Sequence, residues 1–219
     1  MKVLFISSWY PNSVNHLKGI YVKKHAAAIQ KSGVDIEILA LTVSPSKKFY
    51  ERKTYSIVDE NGIKTHMIEL NSKYYKLIYV NLFLQFRLLK KFYLKNIKFS
   101  FKPDLIHSNV IFPAGILGYW LSKSEKLPHV ITEHWSKVDN FMSRNLYASQ
   151  GKKAYNETKK VTAVSDFLKQ SIAKHFDDKN KIAVVPNVVN TEVYSNKKKM
   201  PDPLVIVFTC IAHWSAPKR

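Results

Sequence analysis

Short apolar runs of four to eight residues alternate along the chain with longer stretches whose apolar positions recur every three or four residues. Val3-Leu-Phe-Ile6 reads as a buried strand, Ile20 to Lys31 as a helix stopped by Ser32-Gly33, and Val34 to Leu41 as the next strand. Tyr55–Val58 and Lys64–Leu70 flank Asp59-Glu-Asn-Gly62, a turn sequence that predicts a hairpin. One long basic helix is predicted from about Tyr75 to Ile97. Asp104–His107, His129–Thr132, Val161–Val164 and Lys181–Val185 complete the strands of this unit. Helices are predicted between them over Pro113–Ser122, near Leu146–Lys159, and from a Ser165 cap to His175. Strands separated by helices predict an α/β fold, a Rossmann-like, mainly parallel sheet with helices on both faces.

The segment from Ser195 to Pro203 is basic and punctuated by proline, the composition of a linker. It divides the chain into a domain over 1–195, a linker over 196–203, and a segment over 204–219 that opens with the strand-like run Leu204–Ile211. A strand followed by a loop with a placed cation normally opens a strand–helix unit, so the expectation is one complete domain plus the first element of a truncated second one.

Composition narrows the chemistry. Lys and Arg outnumber Asp and Glu 35 to 16, a net charge of +19 that fits a polyanionic partner or a lysine-rich solubilising surface. No apolar run reaches the ~18 residues of a membrane span. The single cysteine, Cys210, rules out an intrachain disulfide and fits a reducing cytoplasm. The eight histidines are scattered without zinc spacing, so no metal is expected. Nucleic acid is disfavoured as a partner, because no helix-turn-helix, zinc-finger or RRM-type motif accompanies the charge.

Between Lys73 and Lys102 the chain has eight Lys or Arg and no acid. On a helix, Arg87, Lys90, Lys91, Lys95 and Lys98 fall near one face and Leu82, Phe86, Leu89, Tyr93 and Ile97 near the opposite one. The apolar face reads as core packing. The basic face suits attraction to anionic lipid or phosphate.

In a parallel sheet, ligands bind outside the carboxyl ends of the strands. The loops there span residues 7–19, 108–114, 133–140, 165 and 186–190, and from them Tyr10, Asn109, Glu133, Ser165 and Asn187 are candidate substrate contacts. Gly19 stands just before a predicted helix, where free N–H groups attract anions; the loop is not the tight G-x-G-x-x-G turn of dinucleotide sites, and a purely conformational glycine is the equal alternative. His134, just past a strand end, can exchange a proton or bind a sugar hydroxyl. His107 reads as packing.

Taken together, several segments resemble the N-terminal half of GT-B-fold glycosyltransferases of family 4. Met1–Ser7 with Gly19 resembles the family's first strand and glycine loop, and Lys102-Pro-Asp-Leu-Ile-His107 its P-D-[VIL]-[IV]-H segment. Pro128–His134 is similar to the strand ending in the active-site T-x-H histidine; Val164-Ser165 and Val185–Asn190 resemble the V-S and P-N-G-V-D elements. Phe208–Lys218 resembles the opening of the donor domain, F-V-G-R-x-x-x-x-K-G. There are departures: Val188 replaces Gly, Asn190 replaces Asp, and Ala212, His213 and Arg219 stand where the donor motif has Gly, Arg and Gly.

The resemblance implies a retaining, nucleotide-sugar-dependent hexosyltransferase for cell-surface polysaccharide or glycolipid, with a saccharide or lipid-linked acceptor and no metal or other cofactor. It implies that His134 is the active-site histidine, that Gly19 faces the acceptor pocket, and that Lys218 meets the donor diphosphate once a donor domain is present. The fragment alone is expected to be inactive. Its expected location is cytoplasmic, with a peripheral position at the inner face of the cell membrane as a further expectation. The alternatives are a related nucleotide-sugar epimerase and a non-catalytic membrane-binding module.

Overall fold

The computed structural model describes residues 1–191 apart from 145 and 176. The linker and second-domain expectations at 196–203 and 204–219, with Lys218 and His213, lie outside the described residues. Met1–Val188 form one compact unit.

Eight strands form one sheet in the order β3-β4-β2-β1-β5-β6-β7-β8. They are β1 Lys2–Ser7, β2 Asp35–Pro45, β3 Glu51–Val58, β4 Lys64–Ser72, β5 Leu105–Asn109, β6 His129–Glu133, β7 Lys160–Ala163 and β8 Ile182–Val184. Every neighbouring pair is parallel except the β3–β4 hairpin. The helices are α1 Ile20–Lys31, α2 Tyr75–Val80, α3 Leu82–Asn96, α4 Ile116–Glu125, α5 Val138–Arg144, α6 Ala148–Glu157 and α7 Asp166–Ala173. This is the Rossmann-like α/β architecture expected.

Period-two alternation along β1 sorts its side chains between two cores. Val3 and Phe5 join Val22 and Ala26 of α1, while Leu4 and Ile6 join the larger cluster built with α3 to α7. Both faces of this central strand are therefore covered, which explains its unbroken apolar sequence. Gly118 lets α4 approach the sheet, since a Cβ there would sit 1.9 Å from the Ser108 hydroxyl oxygen.

The single helix expected over Tyr75–Ile97 is two helices. The Asn81 side chain accepts a hydrogen bond from the Leu84 amide at 3.0 Å and caps α3, while the Asn81 amide donates to the Ile78 carbonyl and closes α2. Apolar residues continue in helical spacing across this junction, so periodicity conceals the break. No helix among the described residues is long and apolar enough to cross a membrane.

Candidate functional site

The strand order reverses between β1 and β5, and the crevice beyond their carboxyl ends is where an open α/β sheet admits a ligand. Register places Ser7 beside Asn109 and Asn109 beside Thr132 at that end. Asn109 is fully buried, yet neither its amide oxygen nor its amide nitrogen has a hydrogen-bond partner. The hydroxyl of Ser8, the residue after Ser7, is also buried and unpaired. The residue after Asn109 is strained: Val110, β-branched, holds φ at 68°. Two hydrogen bonds keep it there, from its own amide to the Thr132 carbonyl and from the Ile111 amide to Glu133, both at 2.8 Å.

His134 projects from the loop after β6. Its Nδ1 lies 3.1 Å from the amide oxygen of Asn187, so Nδ1 carries the hydrogen and Nε2 is left as an acceptor. That Nε2 is buried and unpaired. Burial, reinforced by nearby His25, pulls the His134 pKa down to about 4, so the ring is neutral at pH 7. Tyr21 and His25, four residues apart on one face of α1, both reach this ring, at centroid distances of 4.4 and 6.3 Å. The Tyr21 hydroxyl is buried and unpaired as well. Neither residue was anticipated from the sequence; their spacing behind Gly19 was the available signal.

Gly19 begins α1 with φ at +65°, and a Cβ on it would lie 1.8 Å from the Trp9 carbonyl oxygen. Its glycine identity thus has a steric cause, and the close approach sets the helix N-terminus at the crevice. Lys18 beside it is half-buried, with its pKa lowered by desolvation and no acidic partner among the described residues.

Three of the candidate contacts, Glu133, Tyr10 and Ser165, are engaged in support. Glu133 is fully buried, and its carboxylate accepts from the amides of Ile111, His134 and Trp135 and from the Tyr155 hydroxyl, at 2.8–3.0 Å. It fixes the loops after β5 and β6. Tyr10 is a core residue, 4% exposed, packed in the cluster of Val22 and Ile38 with its hydroxyl 3.3 Å from that of Thr65. Burial pushes its pKa up to about 12. Ser165 caps α7, its hydroxyl accepting from the Leu168 amide at 3.2 Å. His107 is packed as expected, against Phe5 at 4.4 Å, with Nε2 2.7 Å from the Thr132 hydroxyl.

Glu69 joins the crevice loop to the hairpin. Its buried carboxylate takes the amide and hydroxyl of Ser13 at 3.0 and 2.6 Å and the Tyr55 hydroxyl of β3 at 2.8 Å. No group of three or more metal-ligating side chains occurs among the described residues.

The sequence profile of Glycosyltransferase Family 4 matches residues 19–193, from the crevice glycine past Asn187. The chain belongs to that family. MJ1178 of Methanocaldococcus jannaschii, named as an uncharacterized glycosyltransferase, is 29% identical over 200 residues, 90% of this chain and 49% of its own. TuaC of Bacillus subtilis strain 168, which carries the name of a teichuronic acid biosynthesis glycosyltransferase, is 28% identical over 184 residues, 80% of this chain and 46% of its own. The chain thus spans about half the length of these curated relatives. The catalytic domain of starch synthase IV from Arabidopsis thaliana, solved with ADP and acarbose, shares the fold at a TM-score of 0.60 and 15% identity, over 89% of this chain and 53% of that one. The described unit is therefore built as the N-terminal half of a GT-B fold.

Proposed function

We propose that this chain is the acceptor-side lobe of a retaining, nucleotide-sugar-dependent hexosyltransferase that builds cell-surface polysaccharide or glycolipid. The observation that carries the reading is a set of buried, unpaired polar atoms on residues at the carboxyl ends of β1, β5 and β6 and on Tyr21, whose ring touches His134. Asn109 contributes two, and Ser8, Tyr21 and His134 one each. A buried polar atom without a partner costs about 1–3 kcal/mol, which the hydroxyls of a bound sugar would offset. The name of TuaC supports polysaccharide assembly as the setting.

In the reaction, the bond from the anomeric carbon to the diphosphate oxygen breaks and that carbon joins an acceptor hydroxyl oxygen. The hydroxyl proton is taken up by the departing diphosphate oxygen, and a nucleoside diphosphate is released. Neutral His134, with Nε2 as acceptor, suits a hydrogen bond from a sugar hydroxyl better than it suits a diphosphate. Positive potential for the leaving group then falls to the N-terminus of α1, to Lys18 and to Lys218 with the donor lobe.

The test is sugar transfer from UDP-, GDP- and ADP-linked hexoses by the chain joined to a donor lobe. His134→Ala is expected to lower turnover at least about tenfold, the loss of one substrate hydrogen bond; unchanged turnover would remove the role. The 219 residues alone are expected to transfer nothing and to bind donors weakly in calorimetry. Tight donor binding by them would contradict the division of labour.

A further inference from the structure

The outward face of α3 is not a plain solvated charge face. Arg87, Lys91 and Lys95 are exposed and Lys90 is half-buried, and none has an acidic partner among the described residues. Two large apolar side chains share this face at helical spacing: Phe83, 67% exposed and stacked at 5.4 Å on Trp120, and Leu94, 38% exposed. Lys98, which the sequence groups with these cations, is instead paired with Glu125 at 2.7 Å.

Two adjoining grooves extend the face. One, of about 530 Å³, runs along α3 between Phe86, Arg87, Lys90, Lys91, Leu94 and Lys95. The other, of about 190 Å³, lies between α3 and β3, and Lys91 and Lys95 line it too, together with Arg52 and Thr54. Lys91 and Lys95 thus sit on the ridge shared by both grooves, and no acid lines either one.

We propose that this face docks on an anionic phospholipid surface, with Phe83 and Leu94 entering the headgroup boundary and a lipid phosphate seated among Arg52, Lys91 and Lys95. Charge complementarity selects the partner. Each Lys or Arg held near an anionic leaflet strengthens partitioning about fivefold, and the unpaired cations here share one face of α3 and line its grooves. The interleaved apolar residues separate a membrane from a nucleic acid. An aliphatic Leu94 amid lysines gains from an acyl boundary and gains nothing from a phosphodiester backbone. The inference stands apart from the transferase reading, because it is measured without catalysis.

The experiment is sedimentation of the 219-residue chain with vesicles of phosphatidylcholine, with and without phosphatidylglycerol. Binding is expected on the anionic vesicles, weakening as salt rises, and negligible on the neutral ones. Changing Arg87, Lys90, Lys91 and Lys95 together to Ala is expected to reduce partitioning at least about tenfold. A control with the same charge loss elsewhere, Lys24, Lys31, Lys152 and Lys159 to Ala, is expected to change it less than about threefold. Phe83→Ser with Leu94→Ser is expected to weaken binding at unchanged salt dependence, and Arg52→Ala to weaken it about fivefold. Circular dichroism of each variant separates unfolding from lost docking. Equal losses in the two four-residue variants, equal binding to neutral vesicles, or retention by RNA with none by vesicles would each overturn the proposal.

Discussion

The ring of Tyr21 lies 4.4 Å from the ring of His134, tilted by 37°, although one residue opens α1 and the other follows β6. This contact brings the glycine loop and the histidine loop to the same side of the sheet. On the proposed function, a sugar entering the crevice would meet both. Because the Tyr21 hydroxyl is buried without a partner, Tyr21→Phe is expected to leave the free energy of urea unfolding unchanged or raise it by up to about 1 kcal/mol. Saccharide affinity of the same variant, read by NMR titration, is expected to fall. A loss of stability with unchanged affinity would give Tyr21 a purely structural role.

Glu133 gathers four donors from three parts of the chain. Glu133→Ala strands those donors in a dry site and is expected to cost at least about 3 kcal/mol in urea unfolding. Glu133→Gln keeps one acceptor oxygen and is expected to cost less. Near-equal, small costs for both would show that the hub contributes little.

Gly19→Ala places a methyl group where the Trp9 carbonyl oxygen already is. The backbone has to move, in a left-handed conformation that alanine disfavours, so a loss of about 2 kcal/mol or more is expected. Gly33→Ala is the informative control, since φ there is +84° but nothing lies within 4 Å of the added carbon. It is expected to cost only the conformational part, about 1 kcal/mol.

Acid sensitivity follows from the buried histidines. Burial holds His129 down to about 3 and His134 to about 4, and lowers His25 and His107 as well. Unfolded, each titrates near 6.5. Between roughly 6.5 and 4 the unfolded chain therefore binds more protons than the folded one, and stability falls as pH falls through that window. The melting temperature at pH 5 is expected to lie about 5 °C or more below that at pH 7. A flat profile over this range would contradict the burial of these rings.

The alternation of strands and helices was legible because each strand is a continuous apolar run between turn residues. The polar start of β3, Glu51 to Thr54, carries no such signal: it is an edge strand, held by main-chain pairing to β4 and not by burial. The short α5 also escaped notice, and α6 begins at Ala148, just past the expected Leu146. Within the crevice, His134 and Asn109 could be picked out by position at strand ends. Tyr10 and Glu133 share such positions yet point into the interior. Which way a loop side chain turns depends on partners distant in sequence, Thr65 for one and Tyr155 for the other.

The carboxylate of Glu69 has a mechanical consequence. It grips Ser13 on the loop that leads to Gly19 and, at the same time, Tyr55 on the outermost strand. That one side chain thus ties the outermost strand, which also carries Arg52, to the segment that precedes Gly19.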